Sequence, residues 1–187
     1  MTTYAEQRNA RMKSQSKALL RTPSDLSAQS TAPIAAAMNC LLADVFALHF
    51  KTRNFLWHAS GPHFGEFRDM LSEQAQQLDA MTGTIAERVR KLGAFTLRSV
   101  GDVARHQRIF DNDAAYVQPS EMLCELCEDN KAMASHLREA HALCKSKRDI
   151  ATACLIQVWT DETERRTWFL FECGRGLNAL GPCSPAA

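Results

Sequence analysis

A chain of 187 residues, 45% apolar and 23% charged, is long enough to bury one sizeable core and too apolar to be disordered throughout. Its net charge of +1 makes no case for nucleic acid by itself, and its seven cysteines, an odd number without secreted-framework spacing, point to a reduced, cytoplasmic setting. The polar, basic N-terminus has no apolar stretch like that of a secretory signal, and no apolar run approaches the ~20 residues that cross a bilayer.

Residues 1–21 carry Arg8, Arg11, Lys13, Lys17 and Arg21 against the single acid Glu6. Pro23 and Ser/Thr-rich sequence follow, up to Pro33. This composition reads as a flexible basic arm over 1–31. Such an arm can neutralise DNA phosphates and release counterions, although five cations also suit an ordinary solvated tail. From Pro33 the period becomes helical: Ile34, Met38, Leu41, Leu42, Val45, Phe46 and Leu48 predict a first helix over 33–59, ended by Ser60-Gly61-Pro62. A second helix is predicted over 63–92, where Phe64, Leu71, Leu78, Ile85 and Leu92 recur every seven residues and Gly93 closes the run. Residues 94–118 form a long connection, with a short helix predicted near 99–110. Pro119 and Ser120 open a third long helix to about 144. Asp149 can cap a fourth over 150–173, with Gly174 and Gly176 as stops. The pattern is all-α, two helical hairpins joined by one long crossover, with no predicted strand and no internal repeat.

Arg68, Ser72, Gly83 and Glu87 share a ~100° sector of the second helix with Asp69, Gln76, Asp79 and Arg90. Taken alone, this is a solvated polar face. Cys124-x-x-Cys127 has metal-like spacing but no second pair, and reads as packing. Trp57, Trp159 and Trp168 read as core or interface aromatics, His49 and His136 as isolated structural residues. Glu162, Glu164, Arg165 and Arg166 read as an exposed or inter-subunit charged run. There is no glycine-rich phosphate loop and no nucleophile arrangement of the Ser/His/Asp type.

The stretch from Lys51 to Arg90, with Trp57 and Ala86-Glu87-Arg88, resembles the Dps family, the small cage-forming ferritins that oxidise iron and protect DNA. The resemblance continues through Thr96-Leu97-Arg98-Ser99, Asp111-Asn112-Asp113, Met122-Leu123-Cys124-Glu125-Leu126, Asp129-Asn130, Ala151-Thr152-Ala153 and Trp168-Phe169-Leu170-Phe171-Glu172. It implies a ferritin-like four-helix bundle over 32–176, with a short helix in the long crossover and a tail over 177–187. It implies a homododecamer with three-fold pores, DNA bound through the arm, iron held as a stored mineral, and a cytoplasmic or nucleoid-associated location.

In that family an iron pair sits between two-fold mates. The ligands are a His before the Trp, a His and an Asp four residues apart, and an Asp and a Glu four residues apart. The matching positions here are Leu56, Arg68, Ser72, Gly83 and Glu87, and only Glu87 is a ligand type. Leu and Gly offer no donor, Ser is a weak ligand, and Arg is a permanent cation. The resemblance therefore implies a cage whose own ferroxidase activity is absent or very slow and which has no bound di-iron centre at the family site. It could accept iron oxidised elsewhere, or co-assemble with an active paralogue. A relocated site would draw on Asp69, Glu73, Asp79, His58 and His63, which read more simply as solvated or turn groups. Arg68 is expected to replace the metal's charge and to pair with Glu87 of a two-fold neighbour. At the pore, the Asp that many members place after the Thr-Ala pair is here Cys154, with Asp149 as a further candidate for charge. The alternative is a cage retained as a structural or small-molecule-binding assembly with no iron role.

Overall fold

The computed structural model describes residues 22–61 and 64–177. The arm cations Arg8, Arg11, Lys13, Lys17 and Arg21, together with His63 and the tail from 178, lie outside the described residues. Five helices follow in chain order: α1 Ala28–His58, α2 Phe64–Lys91, α3 Val100–His106, α4 Pro119–Ser146 and α5 Ile150–Leu177. The described residues contain no strand. α1 packs on α2 and α4 on α5, the two hairpins meet mainly through α1 and α4, and α3 lies against α1. This is the ferritin-like bundle with a short helix in its crossover.

Heptad repetition explains the core. Leu41, Leu48 and Phe55 of α1, Leu71, Leu78 and Ile85 of α2, and Met122, Leu126, Met133 and Leu137 of α4 are buried together. Phe64, the first member of the predicted α2 seam, is exposed instead. α1 begins at Ala28, five residues before Pro33, because Leu26, Thr31 and Ile34 already bury against the bundle. An 18-residue window within it reaches a mean hydropathy of 1.6. By length and composition α1 could cross a bilayer, contrary to the sequence expectation. In this fold it is the core helix, with 56% of that window buried.

The ends follow local chemistry. Gly93 sits at φ +78°, and the Gly93 and Ala94 N–H groups donate to the Arg90 and Val89 carbonyls at 2.9 and 3.2 Å, closing α2 as a Schellman motif. α3 is shorter than the predicted 99–110. After His106 the backbone turns extended, so that Arg108 can reach Asp44 and Ile109 can bury. Asp149 Oδ1 accepts the Thr152 N–H at 3.0 Å and caps α5. α5 then runs through Gly174 to Leu177, where a stop was expected. A glycine inside a helix costs about 1 kcal/mol but ends it only where the backbone turns left-handed, and Gly174 does not.

Candidate metal face and the buried polar core

The five family ligand positions lie on α1 and α2. Leu56 is half-buried against the core, Ser72 is half-buried, and Arg68, Gly83 and Glu87 are exposed on the subunit. Gln76 and Asp79 are exposed beside them. Glu87 Oε2 accepts from Lys91 Nζ at 3.3 Å, one turn on, so the surviving carboxylate already has a local cation. Such an exposed pair contributes little, under about 1 kcal/mol. Among the described residues Arg68 has no hydrogen-bond or ion-pair partner within its own chain, so it remains available to another subunit. The donor set Leu, Arg, Ser, Gly, Glu does not fit a pair of ferrous ions, which call for imidazole and carboxylate ligands. No group of three or more His, Cys, Asp or Glu among the described residues is arranged to hold a metal.

The residues considered for a relocated site do not converge. His58 Nδ1 lies 2.8 Å from the Asn54 carbonyl. Glu73 accepts from Gln77 at 3.0 Å. Asp79 does act on His49, which the sequence reading left isolated. Burial pushes the His49 imidazole below its ordinary range, with Asp79 pulling it back up and Arg53 adding to the fall. His49 borders a cavity of about 630 Å³ between α1 and α3, walled by Phe46, Phe50, Leu97, Val100 and Val103.

Asp149, the pore candidate, is buried. Its carboxylate accepts from Arg88 Nη2 at 2.7 Å and from the Thr152 hydroxyl, which in turn accepts from Arg88 Nε at 2.6 Å. Burial alone would raise the Asp149 pKa, but the Thr152 bonds and the Arg88 guanidinium hold it below the usual carboxylate range. Its charge is balanced inside the subunit, whereas Cys154 is exposed. The Ala86-Glu87-Arg88 triplet thus contains one residue on the metal face and one that ties α2 to the start of α5. The described chain begins at Thr22, whose hydroxyl donates to the Arg90 carbonyl at 3.0 Å. Thr22 also shares a shallow surface cavity with Ala86, Glu87, Arg90 and Lys91.

Several polar groups at core positions escaped the sequence reading. Lys51 Nζ donates to Glu125 Oε1 and Asp129 Oδ2, each at 2.7 Å, and Asn112 Nδ2 donates to Glu125 Oε2 at 2.6 Å. Burial opposes the Lys51 charge, but the two carboxylates more than offset it and raise its pKa. Asp44, fully buried, accepts from the Arg108 backbone N–H at 2.6 Å and from its guanidinium at 2.5 and 3.0 Å. His136 Nδ1 lies 3.2 Å from Asp44 Oδ2, but off the hydrogen-bonding direction. Arg166, read as part of an exposed charged run, is 1% exposed. Its long axis buries because it stands seven residues after Trp159, on the inward seam of α5. Desolvation pulls its pKa down to about 10, with Glu162 acting in the other direction. Trp159 is in the core, while Trp57 and Trp168 are largely exposed on the subunit, as interface aromatics would be.

This bundle, with its crossover helix and its polar face on α2, matches known proteins. The ferritin-like domain model matches residues 35–173. The DNA protection during starvation protein of Agrobacterium fabrum is 27% identical over 150 residues, covering 80% of this chain and 93% of that protein. A low temperature-induced protein of Nostoc is 25% identical over 134 residues, covering 71% and 75%. In structure, DpsC from Streptomyces coelicolor aligns with a TM-score of 0.80 at 21% identity, over 89% of this chain and 94% of that one. The Vibrio cholerae Dps protein aligns with a TM-score of 0.75 at 22% identity, over 79% and 92%, and is described as one of the ferritin-like diiron-carboxylate proteins. The chain belongs to the ferritin-like family, as a member of its Dps branch.

Proposed function

We propose that this protein is a cage subunit for iron sequestration and DNA protection in which the ferroxidase reaction has been lost or nearly so. One observation carries the reading: four of the five family ligand positions, Leu56, Arg68, Ser72 and Gly83, lack a ligand for ferrous iron, and the fifth, Glu87, is bridged to Lys91. Iron is the cargo here, and this donor set provides no step for oxidising it. The face around Arg68, Gln76 and Asp79 is exposed on the subunit and becomes a two-fold contact in a homododecamer. There Arg68 reaches Glu87 of the neighbouring subunit, competing with Lys91. A planar guanidinium matches a carboxylate better than an ammonium does, and both groups lose water at the contact.

Iron enters already oxidised or meets an active paralogue in the same cage. Cys154 at the three-fold pore replaces a carboxylate guide, and Asp149 adds no uncompensated charge there. The basic stretch 1–21 of the arm binds DNA without sequence preference and makes the cage nucleoid-associated. Exposed Trp57, Trp168 and Phe171 supply apolar contact area between subunits. The alternative of a ligand-binding cage rests on the cavity of about 630 Å³ beside α3, a size that suits a small molecule.

Crystals of the assembled protein soaked with ferrous iron test the reading. The expected map shows no iron at the two-fold face and Arg68 hydrogen-bonded to Glu87 of the neighbour. Iron coordinated by Glu87 would overturn it.

A further inference from the structure

Cys124, read from the sequence as a packing residue, is disulfide-bonded. Of the seven cysteines in the chain, Cys40, Cys127, Cys144, Cys154 and Cys173 are free. By elimination the partner is Cys183, in the tail that follows α5 and lies outside the described residues. The register of the bundle makes this pairing reachable. α4 and α5 run antiparallel: the Cys127 Sγ lies 3.7 Å from the Thr167 carbonyl, and Asn130 Oδ1 lies 3.0 Å from Arg166 Nε. Cys124 stands one turn nearer the start of α4, which sets it level with a point on α5 ~10 Å short of Leu177. Cys183 follows Leu177 by six residues, which span up to ~20 Å when extended. Cys154, near the start of α5, is ~35 Å from that end of the helix and out of reach.

In a reducing setting disulfides are rare, and those that form are transient or redox-sensing. We propose that Cys124 and Cys183 form a reversible redox clasp that fastens the C-terminal tail to α4 of the same subunit. It closes by exchange with a low-molecular-weight disulfide of the glutathione class. One protein thiolate attacks that disulfide and expels a small thiolate, and the second protein thiolate attacks the mixed disulfide and expels the other. Two protein thiols are thereby oxidised to one disulfide, one small disulfide is reduced to two thiols, and the protons of the protein thiols pass to the leaving thiolates. Opening is the same exchange reversed. Neighbouring thiols do not compete. Burial raises the pKa of Cys127, Cys144 and Cys173 above the ordinary thiol value, that of Cys144 to about 11, which keeps them protonated and inert. Cys124 itself is half-buried, so a small thiol can approach the bond.

Full-length, assembled protein held in oxidised glutathione, alkylated, and digested with trypsin without reduction tests the clasp by mass spectrometry. Trypsin releases Cys124 in the peptide 109–131 and Cys183 in the peptide 176–187. The expected product joins the two. Cys124→Ser and Cys183→Ser should each abolish it, whereas Cys127→Ser, in the same peptide as Cys124, should leave it. Millimolar reduced glutathione, without denaturant, should lower the linked fraction by about tenfold or more. The native chain decides both pairing and reversibility, so a variant that fails to fold leaves the test intact. Alkylated Cys124 and Cys183 in oxidised glutathione, a link through Cys127, or a link between subunits, seen as a dimer on a non-reducing gel, would each overturn the proposal. So would a linked fraction unchanged by reduced glutathione, which would mean a fixed structural bond.

Discussion

Lys51→Met keeps the apolar stem of the side chain and removes its ammonium. Two carboxylates that now lie 2.7 Å from that ammonium, Glu125 and Asp129, one turn apart on α4, would then lie side by side without their cation in the half-dry seam against α1. Breaking a buried pair by removing one partner costs about 3–5 kcal/mol. Asp129 and Glu125 keep 16% and 31% of their side-chain exposure, and Asn112 still donates to Glu125, which places this case at the low end, about 3 kcal/mol. For a chain of this size each kcal/mol moves Tm by about 2–4 °C, so the expected fall is about 6–12 °C. Scanning calorimetry at one scan rate and one subunit concentration is the assay, since assembly contributes to apparent stability. The triple variant Lys51→Met, Glu125→Gln, Asp129→Asn should recover much of the loss, because no unpaired charge remains. The sign with pH also follows: the Lys51 pKa is raised, so its contribution is complete below the unfolded lysine value and disappears only as pH rises through the higher folded value. A single variant within about 2 °C of the native protein would refute the reasoning.

Asp149→Ala removes both the α5 cap and the Arg88 partner, and should cost about 3 kcal/mol by calorimetry, against about 1 kcal/mol for a cap alone. Because the Asp149 pKa is depressed, its contribution is present above the unfolded aspartate value near ~3.9 and is lost as pH falls through the lower folded value, which a Tm profile against pH in the native and Asp149→Ala proteins would resolve. Deleting residues 1–21 should abolish DNA retardation in gels and leave the native mass unchanged, and before deletion log K should fall by about 0.9 per phosphate contact for each tenfold rise in salt. Combining Leu56→His, Arg68→His, Ser72→Asp and Gly83→Asp should restore ferrous oxidation above the autoxidation rate in a stopped-flow assay. Within the subunit the aspartate at 83 has room, since a Cβ there has no atom of another element within 4 Å.

The helices were legible because their seams repeat every seven residues and their ends carry glycine, proline and aspartate. The proposed former ligand positions rest on the Trp57 and Glu87 motifs of the family resemblance, and the fold adds that Arg68, Ser72, Gly83 and Glu87 all lie on α2. The buried charges were harder to find. Charged residues rarely bury, so Arg166 between Arg165 and Thr167 read as surface. Its register shows otherwise: Thr163 stands midway between Ile156 and Leu170, and Arg166 lies seven after Trp159, all of them buried. Asp44 and Lys51 likewise follow Leu41 and Leu48 by three on the inward side of α1, and Asn130 stands between Leu123 and Leu137 on α4. The partners of these groups come from other helices, and no single-helix pattern names them. Phe64 fails for the opposite reason. It keeps the heptad period but stands at the first residue of α2, where the seam has not yet met its neighbours.

Anaerobic addition of ferrous iron to the purified cage, followed by air and optical monitoring of ferric formation, tests the central claim most directly. The proposed loss of the family ligands predicts oxidation no faster than in buffer alone, with no rapid phase stoichiometric with the proposed two-fold sites. A fast phase consuming two ferrous ions per site in the native protein would contradict it.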